Sequence, residues 1–301
     1  MPLLLHSLAE FQDLILPALE AVRPRAIVEV GSETGANAKV LVDWAGVHGA
    51  VLHSVDPEPA DDLVKLAAVT EHLHVVAEYS PEALPGIGPA DAYLLDGDHN
   101  HSTVTRELDT IDEVCDRFPL VILHDVGWPC GRRDQYYAPD RLPADRVHPH
   151  SWDEGVTPDN PGTVRGGFRG EGAFAAARHE GGPANGVLTA VEDFRERRPG
   201  LAYHQVPSVF GLGILYPEDA HFAGAVRDLF DPYDRHPLLE RLERNRLELY
   251  LRVIALQDEM AGRVGQQDRM VAGYEAALAA LNVENTDLRL RLAGGHAGRT
   301  G

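Results

Sequence analysis

The run LLDGDHNHSTV, residues 94–104, carries an aliphatic stretch into two carboxylates and two imidazoles, and the run LVILHD, residues 120–125, ends in the same two residue types. Carboxylates gathered this closely repel one another and resist ionising unless a cation sits among them. Asp96, Asp98, His124 and Asp125 are therefore candidate ligands of a divalent ion. An oxygen-dominated, partly hydrated site suits Mg²⁺, and an imidazole donor extends the choice to Mn²⁺, Fe²⁺ or Zn²⁺. The plainer alternative is that Asp98 and His99 help start a helix and that His124 is a packed ring.

The surrounding pattern predicts the frame that brings these residues together. From Ala26 onward short apolar runs alternate with helical spacing: AIVEV, VLHSV (51–55), HLHVV (72–76), AYLLD (92–96) and LVILHD. Between the last two runs Val104, Leu108, Ile111 and Val114 or Cys115 share one helical face. Strand, crossover helix, strand at this interval predicts a parallel sheet covered on both faces. Fourth and fifth strands lying side by side would present Asp96 and His124-Asp125 to one crevice. YHQVP and FGLGILYP then predict two short strands paired antiparallel at a sheet edge.

At the end of the first strand stands EVGSETG, with Glu29, Gly31 and Gly35. Glycines at a strand-to-helix turn let the chain bend tightly and a ligand approach closely. Glu33 breaks a G-x-G-x-x-G dinucleotide run, and no Gly-Lys-Ser/Thr follows to cradle a triphosphate. An acid beside the turn suits a cationic or hydroxylated ligand, and Asp56, at the tip of the second strand, can accept from both ribose hydroxyls.

Together Glu29–Gly35 and Asp56 resemble the cofactor half of the class I S-adenosylmethionine-dependent methyltransferases, over about residues 10 to 217. The resemblance implies a Rossmann-like α/β fold: a seven-stranded sheet of five parallel strands and an antiparallel terminal pair. It also implies that Gly31 and Gly35 shape the turn under the methionine part, with Glu29 close by. Asp56 would hold the ribose, Tyr79 and Ser80 would flank the adenine, and Asp96 would face the cofactor. The acid cluster resembles that of metal-dependent small-molecule O-methyltransferases, in which the ion grips acceptor hydroxyls. Those enzymes show two acids or Asp-Asn where this chain has His124-Asp125. The longer match resembles a bacterial subgroup linked to specialised metabolites, including antibiotic biosynthesis, or sugars. For such a transfer His99 is the first expected base, with His101 second.

Residues 127–186 are rich in Gly, Pro, Arg and aromatics without lasting periodicity, which predicts a lid inserted in the domain. Trp128, Arg132, Arg133, Tyr136 and Tyr137 are its candidate acceptor contacts; the arginines could equally pair with Asp134 and Asp140 to hold the lid. Asn185 and Glu192 could face the same pocket. The expected division is a methyltransferase domain over 1–230, a helical extension over 231–293 and a flexible tail over 294–301. From Leu249 to Leu292 apolar residues recur at alternating four and three with one stutter, a coiled-coil seam carrying Asn285 at an a position. It predicts a homo-oligomer, a dimer in the simplest case; a helix folded back on its domain is the alternative.

The chain has 301 residues, 44% apolar and 25% charged, with a formal charge of −20. That charge disfavours nucleic acid as a partner. Two cysteines give no disulfide framework, and no run of about 18 apolar residues spans a membrane. A cytoplasmic protein acting on a small-molecule acceptor is the expectation. Competing functions are a metal-independent N-methyltransferase and a non-catalytic adenosylmethionine-binding scaffold that uses the helix.

Overall fold

The structure is a computed structural model describing residues 4–297, with side chains through residue 292. A turn of 3-10 helix, Leu8–Phe11, leads into α1 (Gln12–Val22) and β1 (Ala26–Val30). There follow α2 (Ala36–His48), β2 (Val51–Val55), α3 (Asp61–Ala67), β3 (Leu73–Val76), α4 (Ser80–Ile87), β4 (Ala92–Leu95), α5 (His101–Val114) and β5 (Leu120–His124). After the insertion come α6 (Val187–Arg197), two more strands, α7 (Ala223–Phe230) and α8 (Pro237–Ala297).

The insertion itself contains β6 (Gln135–Tyr136), β7 (His150–Ser151), β8 (Gly155–Thr157), β9 (Asn160–Val164) and β10 (Ala175–Ala177). The two strands after α6 are β11 (Leu201–Val206), at one edge of the main sheet, and β12 (Leu212–Pro217) inside it. The main sheet runs β11-β12-β5-β4-β1-β2-β3. β1 to β5 pair in parallel, and β12 runs against both of its neighbours. This is the seven-stranded arrangement the alternating runs predict, with β4 beside β5.

Both faces of the sheet are covered, which is why its strands read as continuous apolar runs rather than alternating ones. Ile27, Leu94 and Ile122 point to the face under α1, α2 and α7. Their chain neighbours Val28, Tyr93 and Val121 point to the face under α4, α5 and α6. α5 starts at Asn100, whose side chain accepts from the Thr103 N–H at 2.8 Å, so the helix cap falls one residue beyond the 98–99 pair.

The 127–186 segment is more regular than its composition predicts. β10 pairs antiparallel with β6 and β7, and β8 pairs with β9. Strands of two to five residues are too short to show a period of two in the sequence.

The chain divides into two compact units, Met1–Leu251 and Arg252–Gly301. In the second, α8 carries exposed Leu256, Met260, Val271, Tyr274, Leu278 and Leu281. Residues 294–297, expected in a flexible tail, are helical, and 298–301 lie outside the described residues. Among the described residues no helix is long and apolar enough to cross a membrane.

Candidate active site

The C-terminal tips of β1, β2, β4 and β5 border one cleft of about 860 Å³, within the usual size of small-molecule sites. At the β1 tip Gly31 has φ +83°, and a Cβ there would lie 2.2 Å from the Asp96 carbonyl oxygen. The turn and the β4 tip can therefore touch only through glycine. Gly35, φ +74°, meets only Leu63 at 3.6 Å, so its requirement is the left-handed backbone.

Asp56 ties β2 to this turn. Its Oδ2 accepts from the Ser32 N–H at 2.9 Å, the Ser32 hydroxyl at 3.1 Å and the Glu33 N–H at 3.1 Å, and Oδ1 accepts from the Glu58 N–H at 2.8 Å. The carboxylate lines the cleft and keeps accepting capacity on Oδ1. Glu29 lies one layer behind, fully buried, accepting from Asn37 Nδ2 at 2.8 Å and Ser54 Oγ at 3.1 Å. Burial, helped by Asp96 and Asp56, pushes its pKa up to about 7 against those two hydrogen bonds. Asn37, which the sequence reading missed, is the cleft-lining residue that Glu29 holds.

Tyr79 and Ser80 line the same cleft. The Arg141 guanidinium lies 3.5 Å from the Tyr79 ring centroid, and the Ser80 hydroxyl donates to buried Glu107. Burial pushes the Glu107 carboxyl up to about 8.

At the junction of β4 and β5 the acids and imidazoles converge. Donor atoms of Asp96, His124 and Asp125 lie within 4.8 Å of one another, as do those of His99, Asp125 and Cys130. His124 Nδ1 is 3.0 Å from Asp96 Oδ1 and 3.1 Å from Asp125 Oδ2, while Nε2 lies 2.8 Å from the Val209 carbonyl. The carbonyl can only accept, so it fixes the N–H on Nε2 and aims Nδ1 at the acids. Burial opposes charge on this ring, but Asp96 and Asp125 prevail and push its pKa up to about 10. Asp125 is buried, yet His99 and His124 draw its pKa down to about 2. Its backbone is left-handed, φ +59°, a conformation that costs energy outside glycine and persists only where neighbours enforce it.

His99 Nε2 is 3.4 Å from both Asp96 Oδ1 and Asp125 Oδ2, and neither ring nitrogen makes a hydrogen bond. Orphaned buried nitrogens beside two carboxylates fit a place for a cation. Asp98 stands apart from the converging donors. Its Oδ2 accepts from Asn100 Nδ2 at 2.5 Å and Thr103 Oγ1 at 2.9 Å, and its Oδ1 is buried without a hydrogen-bond partner. The carboxylate lines the cleft, and burial holds its pKa above the usual range.

Other sequence-predicted residues are engaged elsewhere. The His101 ring bonds Asp193 at 2.8 Å, and its backbone N–H donates to Asp134. Arg132 pairs with Glu192 at 2.5 and 2.7 Å. Arg133 is buried, donating to the Ala177 and Pro161 carbonyls at 2.6 and 2.8 Å. Both arginines hold the insertion, although with other partners than Asp134 and Asp140. Tyr136 is buried and donates to Asp134 at 2.8 Å, and Trp128 packs on Phe168. Asn185 is also buried, bonded to the Asp134 N–H and to the His179 and Gly181 carbonyls. Of the five predicted lid contacts, Tyr137 lines the cleft, its ring against His99.

Residues 28–126 match the family model described as a methyltransferase domain. No curated protein matches the chain. Similar solved structures include the S-adenosylhomocysteine-bound methyltransferase PaMTH1 from Podospora anserina. It is 13% identical, with a TM-score of 0.42 over 68% of this chain and 77% of that one. An O-methyltransferase from Bacillus cereus, in complex with S-adenosylhomocysteine, is 13% identical with a TM-score of 0.41, over 70% and 83%. The O-methyltransferase TomG from Streptomyces achromogenes, involved in tomaymycin synthesis, is 15% identical with a TM-score of 0.40, over 68% and 79%. Strand order and the family match together define a class I S-adenosylmethionine-dependent methyltransferase fold.

Proposed function

We propose that this protein transfers a methyl group from S-adenosylmethionine to a hydroxyl of a small molecule, assisted by a divalent ion. The observation that carries this is the single cleft shared by the glycine turn, Asp56 and the acid-imidazole cluster. Asp56, Glu58, Asp96, Asp98 and Asp125 line it against the guanidiniums of Arg106 and Arg141, an excess of negative charge that favours a sulfonium donor.

Gly31 lets the donor's methionine part approach the backbone, Asp56 is placed for the ribose, and Tyr79 offers its ring to the adenine. Asp96, His124 and Asp125 would hold the ion. Such an ion lowers the pKa of an acceptor hydroxyl and fixes its aim. Transfer breaks the sulfur-methyl bond and forms an oxygen-methyl bond, leaving a neutral thioether. His99, which lines the cleft, is the base that takes the hydroxyl proton. Tyr137 and the insertion exclude water while reacting atoms are held about 3–3.5 Å apart.

The exposed seam of α8 pairs, in this reading, with a parallel second copy. Asn285 at an a position fixes its register, and Glu284 faces Arg289 of the partner subunit across a g-to-e pair.

The test is methyl transfer from labelled donor to panels of hydroxylated and amine acceptors, with and without a chelator. Loss of O-methylation on chelation and its return with added ion is expected. Transfer to amines that survives chelation would overturn the proposal in favour of N-methylation. Tight donor binding without turnover on either panel would overturn it in favour of a scaffold.

A further inference from the structure

The geometry points to a second metal site, formed by His99, Asp125 and Cys130, that takes Zn²⁺ or Cd²⁺ and thereby removes His99 from proton transfer. The binding is independent of the proposed function; only its consequence for transfer rests on His99 being the base.

Three observations converge. The first is the grouping. One donor atom from each of the three side chains lies within 4.8 Å of the other two. Around a tetrahedral zinc, nitrogen, oxygen and sulfur donors stand about 3.3–3.6 Å apart. His99 Nε2 and Asp125 Oδ2, at 3.4 Å, already have that separation. Any remaining approach falls to the thiol, whose sulfur is held weakly, 3.5 Å from Gln135 Oε1.

The second observation is the state of the His99 ring. Both nitrogens are buried and make no hydrogen bond, although polar groups so placed ordinarily find one. His99 and Asp125 line the cleft, which gives an ion its way in. Cys130 lies behind them, with Gln135 and Phe174 around a small cavity. Three protein donors leave one tetrahedral position for water.

The third is the chemistry of the donors. Thiolate and imidazole suit zinc and softer ions, whereas Mg²⁺ prefers oxygens and keeps several waters. Asp96, His124 and Asp125 offer two carboxylates and no sulfur, so the two groups sort ions by softness although they share Asp125. Burial, helped by Asp125, pushes the Cys130 thiol up to about 12, so without an ion the thiol is neutral. A bound Zn²⁺ or Cd²⁺ displaces that proton to solvent and gains a bond to sulfur. It also occupies the His99 lone pair that would otherwise take the proton of the acceptor hydroxyl.

The test uses the full chain, stripped of metal and titrated with Co²⁺ as the spectroscopic stand-in for zinc. A sulfur-to-cobalt charge-transfer band is expected, removed by equimolar Zn²⁺ or Cd²⁺ and unaffected by Mg²⁺ in about 1,000-fold excess. Cys130→Ser should abolish the band, and Cys115→Ser, which removes the chain's other cysteine, should leave it. Asp96→Asn should retain it, because Asp96 belongs only to the neighbouring group. His99→Ala should weaken Cd²⁺ binding at least about 10-fold. Circular dichroism confirms that each variant is folded.

No charge-transfer band, a band that survives in Cys130→Ser, or unchanged Cd²⁺ affinity in folded His99→Ala would overturn the site. Each of those results would leave the ion-assisted reading standing, since Mg²⁺ among Asp96, His124 and Asp125 uses neither Cys130 nor His99. Methyl transfer that continues with the band at full height would overturn the block on His99, and with it the role of His99 as base, while leaving the site.

Discussion

Glu243 of α8 reaches the ion cluster through two intermediaries, which makes its replacement a sensitive test of how the site is held. Its Oε2 accepts from the Val209 N–H at 3.1 Å and its Oε1 from the Phe210 N–H at 3.0 Å. Arg246 pairs with both oxygens at 2.6 and 2.7 Å. Val209 and Phe210 are left-handed, φ +48° and +65°, a rare conformation for a β-branched or bulky residue. The Val209 carbonyl is what fixes His124.

Glu243→Ala therefore removes the acceptor of two amides in a turn strained by about 1–2 kcal/mol per residue. Each amide left without a partner costs about 1–3 kcal/mol, partly relieved by water because the site is only half-buried. A net loss of about 2–3 kcal/mol follows, seen as a fall in Tm of roughly 4–9 °C for a unit of this size. Release of the Val209 carbonyl should also weaken divalent-ion binding about 10- to 100-fold, the usual cost of losing a metal ligand's support. Calorimetric ion titration and thermal melts, on the same preparation of the variant, read the two effects separately. A lowered Tm with ion affinity unchanged would refute the coupling between the turn and His124.

Gly31→Ala should abolish donor binding, since its Cβ would overlap the Asp96 carbonyl, whereas Gly35→Ala should cost about 1–2 kcal/mol of stability and retain binding; equilibrium dialysis with S-adenosylhomocysteine distinguishes them. Glu29 has a folded pKa of about 7 above an ordinary value of 4.5, so its contribution to stability is fully present below 4.5 and is lost as pH rises through 7. Glu29→Gln, which mimics the protonated form, should flatten that decline of about 3 kcal/mol in denaturant unfolding across the range; an unchanged slope would count against it. Deleting residues 263–301 should lower the mass in solution to that of a single chain, and an unchanged mass by light scattering would sink the helix pairing.

The strands were legible because each is buried on both faces and therefore reads as a compact apolar run, from AIVEV to LVILH. The meeting of Asp96 with His124 and Asp125 followed from strand adjacency alone. What a linear pattern could not carry was side-chain direction past the strand tips. Asp98 and His99 are neighbours in sequence, yet one turns to Asn100 and Thr103 and the other to the acids. The insertion was opaque for a related reason. Arg132 and Arg133 are held by Glu192 and by backbone carbonyls 28 and 44 residues away, partners that no local spacing identifies. Cys130 joins the cluster only because the chain turns back after β5, and Glu243 acts through a turn more than thirty residues earlier.

The most direct measurement is an anomalous-difference map from a crystal soaked with S-adenosylhomocysteine and a divalent ion. One peak among Asp96, His124 and Asp125 is predicted, with the thioether sulfur beside the Gly31 turn. Ligand density elsewhere in the cleft, or those three side chains with no ion among them, would contradict the account.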